Sequence, residues 1–192
     1  GRPLVAQNQW PDAVFPRLKA ELTPYHSALC AVASKVLEAI AVSLDQPADF
    51  FAERYQNPLA RGQLVFYPPS NQEDETAERF GVAPHTDFGV LTFLLQDNNG
   101  GLQVRTQSGA WAEAPPIPGT PVYNIGDLLE RWSNDRFAST LHRVINRSGR
   151  ERYSQPFFFD PSMDETIEAL SVCVPAGSQP KYEPVLYGDY LM

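Results

Sequence analysis

The chain is poor in several residue types that would define other kinds of protein. It has two cysteines in 192 residues, Cys30 and Cys173. Two thiols exclude a disulfide scaffold, although a single bridge between them stays open. Cys30 falls in an apolar helical stretch and reads as a reduced, buried thiol. A reducing, cytoplasmic setting is therefore expected. Basic residues are also scarce: 15 Lys and Arg stand against 23 Asp and Glu, for a net charge of −8. That balance speaks against a nucleic-acid partner, whose phosphates select basic patches. No uninterrupted run of 18 or more apolar residues occurs, so no membrane span is predicted. The first ten residues lack the apolar core of a signal peptide.

What is abundant is proline and apolar surface. Eighteen prolines are about twice the usual ~5% share, which disfavours a plain helix bundle and favours strands joined by turns. Hydrophobic residues make up 43%, enough for a real core. At this length one compact domain is the default.

The pattern changes near residue 60. Between Leu22 and Leu44 the apolar positions Leu29, Val32, Val36, Leu37, Ile40 and Leu44 recur at three- and four-residue steps, predicting an amphipathic helix. Thr23-Pro24 caps that helix with proline at its first position, or the helix begins near Pro16 and Pro24 kinks it. A second short helix is expected over Pro47–Tyr55. Strand signals then follow at Gln63–Tyr67, Gly89–Gln96, Leu102–Arg105, Pro121–Ile125, Ser139–Asn146 and Arg152–Phe159. Asn71–Arg79 reads as a polar loop, Asp97–Gly101 as a hairpin loop, and Asp127–Trp132 as a helical turn. Many short strands separated by turns indicate a barrel or sandwich.

Three histidines are present. His26 lies in the helix and reads as structural. His85-Thr86-Asp87 puts two metal-capable side chains at i and i+2, which on a strand share a face. His142 follows Asp87 by 55 positions on another strand signal. Two imidazoles and a carboxylate are the ligand set of the facial triad of non-haem Fe(II) oxygenases, which keeps positions open for oxygen chemistry. His-x-Asp is a common tripeptide, so spacing alone leaves a second reading: an Asp capping a turn and a His bonded to a carbonyl.

Arg152 and Ser154 share a strand face ten residues further on. A planar guanidinium beside a hydroxyl makes a carboxylate clamp. An arginine facing a barrel interior needs an internal carboxylate or an anionic ligand. The competing reading is an outward Arg after a turn at Gly149-Arg150-Glu151.

These residues sit within longer motifs: His85-Thr86-Asp87-Phe88-Gly89-Val90-Leu91-Thr92, Gln96-Asp97, Gly100-Gly101-Leu102-Gln103-Val104, Asn124-Ile125-Gly126-Asp127, Trp132-Ser133-Asn134, Ser139-Thr140-Leu141-His142-Arg143-Val144 and Arg152-Tyr153-Ser154-Gln155-Pro156-Phe157-Phe158. With Asn8-Gln9-Trp10-Pro11 and Tyr67-Pro68-Pro69, they resemble, in order and over essentially the whole chain, the isopenicillin N synthase-like family of 2-oxoglutarate- and Fe(II)-dependent oxygenases. The resemblance implies an α+β fold: a double-stranded β-helix (jelly-roll) core over residues 61–192, with the helical part, residues 1–60, packed on it as one structural unit. It matches His85, Asp87 and His142 to the iron ligands. It matches Arg152 and Ser154, with Tyr67, to the residues that bind the distal carboxylate of 2-oxoglutarate.

The activity implied is oxidation of a small organic substrate by O2, with 2-oxoglutarate decarboxylated to succinate and CO2. The outcome is hydroxylation, desaturation or cyclisation. No acid–base residue beyond the metal ligands is called for, and a monomer without nucleic-acid or membrane partners is expected. Strand alternation from Arg152 puts Phe158 on the face of Arg152 and Ser154, where it either lines the substrate pocket or belongs to the core; Phe88 and Phe159 are lesser pocket candidates. Asp127 is read as a turn or helix cap rather than a catalytic carboxylate, and Trp111 and Trp132 as packing residues rather than substrate platforms. Against the family the chain looks shortened at both ends. An iron oxidase of the same fold without 2-oxoglutarate, and a non-catalytic barrel binding module, are the competing readings.

Overall fold

The computed structural model describes residues 6–70 and 80–192; the loop expected over 71–79 and the first five residues lie outside these. The sequence-predicted helix is α1, Leu18–Ser43. It begins before Thr23 and holds Pro24 inside, so the earlier of the two starts applies. Ala33, Leu37, Ile40, Ala41 and Leu44 are buried, whereas Val32 is half exposed on the opposite side. By length and composition α1 could cross a membrane; here its buried stripe packs on a sheet. Instead of a helix over Pro47–Tyr55, turns lead into a single 3-10 turn at Glu53–Tyr55.

Eleven strands follow among the described residues. β1 (Leu59–Gly62), β2 (Val65–Tyr67), β4 (Leu91–Gln96), β7 (Val122–Ile125) and β9 (Arg152–Asp160) form the larger sheet. Its order is β1-β9-β4-β7, with β2 pairing further along β9. The smaller sheet runs β3-β8-β5-β6, from Val82–His85, His142–Val144, Leu102–Arg105 and Trp111–Glu113. All the pairs in both sheets are antiparallel. β10 (Thr166–Ile167) and β11 (Val185–Leu186) make a small ribbon beside the short terminal helix Tyr187–Leu191. The two larger sheets are the double-stranded β-helix.

The Asp97–Gly101 segment is not a hairpin loop, because β4 and β5 belong to different sheets. Gly100 (φ 71°) and Gly101 (φ 89°) carry the chain across from one sheet to the other, conformations open to glycine at little cost.

Period-2 alternation gives β9 two distinct faces. Phe157 and Phe159 join Leu91 and Phe93 under α1, with Trp132, in one core cluster. Arg152, Ser154, Pro156 and Phe158 point the other way, toward the smaller sheet. Between the sheets, Tyr67, Leu102 and Val144 form a second, smaller cluster with Val65, Leu94 and Val122. The apolar weight thus sits on the helix side, which leaves the inter-sheet side free for polar groups. Cys30 and Cys173 are both free thiols, Cys30 half-buried rather than buried.

Candidate metal centre and anion clamp

His85 ends β3 and His142 opens β8, and the two are direct cross-strand partners. Their rings lie 4.2 Å apart. Asp87 is not on the strand with His85, as the i, i+2 reading assumed; it sits just beyond, in the turn before β4. That turn is clamped by the first turn of α2, Asp127–Trp132. The Asp127 N–H donates to the Asp87 carbonyl (2.8 Å) and the Leu128 N–H to the Gly89 carbonyl (3.0 Å). A side chain at Gly126 would collide with the Gly89 carbonyl, so glycine permits this backbone-on-backbone contact. The cap position is Gly126, without a side-chain cap bond. Asp127 is therefore not the cap: its carboxylate accepts from Thr86 (3.3 Å) and Tyr190 (3.4 Å).

One ligand atom from each of His85, Asp87 and His142 lies within 4.8 Å of the others. His85 Nε2 and His142 Nε2 are 3.6 and 3.7 Å from Asp87 Oδ1. Each imidazole is aimed from behind. His85 Nδ1 lies 2.8 Å from the Ala83 carbonyl and His142 Nδ1 2.9 Å from the Thr140 carbonyl. A carbonyl only accepts, so both Nδ1 atoms carry the proton and both Nε2 lone pairs face Asp87. The carboxylate is held in the same one-sided way. Its Oδ2 accepts from Thr92 Oγ1 (2.5 Å) and Asn124 Nδ2 (2.7 Å), leaving Oδ1 to the histidines. The donor set, tautomers and open side suit a divalent iron, as the facial triad requires.

The second half of the site lies further along the same face. Arg152 is completely buried. Its Nε donates to the Gly100 carbonyl (2.6 Å) and its Nη2 to Gln96 Oε1 (2.9 Å). Its guanidinium stacks 4.6 Å from the centre of the Tyr67 ring. Nη1 is buried with no hydrogen-bond partner, and no carboxylate pairs with Arg152 among the described residues. Ser154 Oγ donates weakly to the Tyr67 hydroxyl, at 3.4 Å. A buried, charged donor without an acceptor is costly, and a carboxylate set against Nη1, Ser154 and Tyr67 would satisfy it. The outward-facing reading of Arg152 is excluded.

The comparisons with known proteins agree with this geometry. The 2OG-Fe(II) oxygenase superfamily matches residues 50–161. The chain belongs to that superfamily. It is 40% identical to the 2-oxoglutarate-Fe(II) type oxidoreductase hxnY of Emericella nidulans, over 98% of this chain and 55% of that protein. It is 39% identical to homoarginine-6-hydroxylase 2-ODD-233 of Oryza sativa, over 100% of this chain and 59% of that one. A full-length Neurospora crassa protein, solved in complex with alpha-KG, superposes with a TM-score of 0.91 at 34% identity, covering 98% of this chain and 61% of that one. The chain thus spans about half the length of the curated relatives it matches. Fe(II) and 2-oxoglutarate are the cofactor and cosubstrate of this family of oxidoreductases.

The fold brings all six expected residues of the metal and clamp sets to the space between the two sheets, from both of them and from the turn that holds Asp87. Phe158 also faces that space, directly opposite Thr92. Phe159 is not: it is buried under α1 against Tyr55. Phe88 is exposed to solvent. Trp132 is core and Trp111 lies against Arg143. His26, on α1, bonds the Ala60 carbonyl (3.2 Å) and takes no part in the histidine pair. Thr92, Asn124, Gln96 and Gly100 were not singled out for roles. Polar residues at 92 and 96, on one face of an otherwise apolar strand, were the signal available.

Proposed function

We propose that the chain carries the catalytic core of an Fe(II)- and 2-oxoglutarate-dependent oxygenase acting on a small organic substrate. His85, Asp87 and His142 hold the iron, which supplies the O2 chemistry when bound. Arg152, Ser154 and Tyr67 receive the distal carboxylate of 2-oxoglutarate, and Phe158 lines the substrate side. The carbonyls of Ala83 and Thr140 and the side chains of Thr92 and Asn124 keep the donors pointed inward before any ligand arrives. The overall reaction hydroxylates, desaturates or cyclises the substrate, with one succinate and one CO2 released per O2 consumed. Free, sparse cysteines agree with a cytoplasmic setting as part of the same proposal.

The observation that carries this reading is the unpaired Nη1 of fully buried Arg152 on the face that also presents the His-Asp-His cluster. The homologues' names and the Neurospora crassa complex with alpha-KG support it. The test is aerobic turnover of a substrate panel with Fe(II) and 2-oxoglutarate, scoring succinate against oxidised product. One succinate per product is expected. Product without succinate would establish the iron oxidase reading instead, and activity retained in His85→Ala would remove the iron centre from the mechanism.

A further inference from the structure

Residues opposite one another across the larger sheet form a row that passes beside the metal cluster. Arg61 of β1 pairs with Phe158 of β9, Phe158 with Thr92 of β4, and Thr92 with Asn124 of β7. Direct partners in antiparallel strands share a face, and the last two of the four hold Asp87. Arg61 therefore stands two strands, about 10 Å, from the Thr92 backbone on the metal face. The clamp lies in another direction. Gln96, which Arg152 grips, pairs with Ser154, whereas Thr92 pairs with Phe158. That is four residues along β4, about 13 Å. A five-carbon dicarboxylate held by Arg152 and directed at the metal fills the stretch between those two rows. Phe158 and Arg61, in the metal row itself, are left to the substrate.

We propose that Arg61 and Phe158 select a substrate bearing a carboxylate attached to a small apolar body. The inference rests on the function proposed above and names its substrate class. Arg61 has the required form. Its guanidinium carbon lies over the Phe158 ring, 5.3 Å from the centre, a cation–π contact that holds the charge in place without needing a hydrogen-bond acceptor. Its side chain is 43% exposed, so a solute reaches it. Among the described residues its one charged partner is Asp160, at 3.5 Å, an ion-pair distance longer than a formed hydrogen bond. Both Asp160 oxygens have partners: Oδ1 accepts from the Val90 N–H (2.8 Å) and Oδ2 from the Tyr187 hydroxyl (2.9 Å). In a chain of net charge −8, Arg61 is thus a cation with unused donors beside the metal face, backed by a ring that would pack the substrate's apolar part.

The test is calorimetry under nitrogen on the full chain loaded with Fe(II) and 2-oxoglutarate. The probes are hexanoate, phenylacetate and 3-phenylpropanoate, each against its primary amide. At least one carboxylate is expected to bind tenfold or more tightly than its amide. Arg61→Gln should bring that ratio within threefold, and Arg61→Lys should keep part of it. A wild-type panel with no carboxylate preferred over its amide overturns the inference, as does a tenfold preference that survives in Arg61→Gln. If Arg61→Gln does not fold, the wild-type ratio and the Arg61→Lys ratio decide. The loading step separates the two proposals: failure of 2-oxoglutarate to bind the wild-type chain refutes the function, whereas normal loading without carboxylate preference refutes this assignment alone.

Discussion

Replacing Arg152 with methionine should separate ligand binding from folding. The residue is fully buried and gives two hydrogen bonds to the protein, to Gly100 and Gln96, while Nη1 has no partner. Without ligand, the variant leaves two acceptors unpaired, at about 1 kcal/mol each. It is also relieved of a desolvated, unpaired charge, and unbranched methionine fills most of the space over Tyr67. These effects oppose each other, so the ligand-free melting point should move by only a few degrees. With ligand, the loss is of a charge-assisted contact worth ~1.5–3 kcal/mol per bond, and at ~3 kcal/mol affinity for 2-oxoglutarate falls about a hundredfold. At a concentration of 100 times the wild-type Kd, the wild type gains ~2.7 kcal/mol and the variant ~0.4 kcal/mol. For a domain of this size that is a melting shift of roughly 5–11 °C against roughly 1–2 °C. The assay is scanning fluorimetry with calorimetric titration of 2-oxoglutarate, with Fe(II) under nitrogen. A variant that folds and binds 2-oxoglutarate within threefold of wild type would refute the clamp.

Two further outcomes follow from other contacts. Thr92→Val removes the hydroxyl on Asp87 Oδ2 (2.5 Å) at nearly constant shape; Fe(II) affinity by competitive chelator titration should fall ~10–100-fold, and unchanged affinity would mean that the Thr92 bond does not orient the ligand. Asp160 is pushed above the ordinary carboxylate range, chiefly by burial and despite the Val90 N–H and Tyr187 hydroxyl. The folded state then binds this proton more tightly than the unfolded state, so its contribution to stability falls as pH rises from the unfolded pKa of 3.8 through the higher folded one. Asp160→Asn should therefore gain in melting temperature relative to wild type across that window, and a difference that does not change with pH would contradict the assignment.

Much of the site was legible because β9 is one long strand with strict alternation. From Arg152, counting by twos reaches Ser154 and Phe158 on the metal face, and the same count sends Phe159 to the core, which disposes of it as a pocket residue. The histidine pair was less direct. His85 and His142 meet through strand pairing, whereas Asp87 reaches them from a turn whose shape depends on α2, about 40 residues later. β1 left no signal: Leu59-Ala60-Arg61-Gly62 has neither alternation nor β-branched residues, and it is a strand because β9 offers it an edge. Arg61 was missed with it. The Asp97–Gly101 error has a related origin, since a glycine-rich turn fits a hairpin and a crossing between sheets equally well, and only partners far along the chain distinguish them.

The arrangement of support around the two sites has a common logic. At the His-Asp-His cluster each side chain is tethered at the atom that does not face the other two: Nδ1 of each histidine, Oδ2 of Asp87. At the clamp, Arg152 is tethered through Nε and Nη2, and Nη1 is left over. In both places the protein satisfies one side of a polar group and withholds the other. Withholding is costly in the free protein; on the function proposed above that cost would be recovered on binding metal and cosubstrate, because the donors and acceptors would make bonds without first losing others or reorganising. An acidic chain has carboxylates enough to neutralise Arg152 internally. None does so among the described residues; on the function proposed above the buried positive charge would meet an anion from outside, and Tyr67 and Ser154, flanking it, would limit where that anion lies.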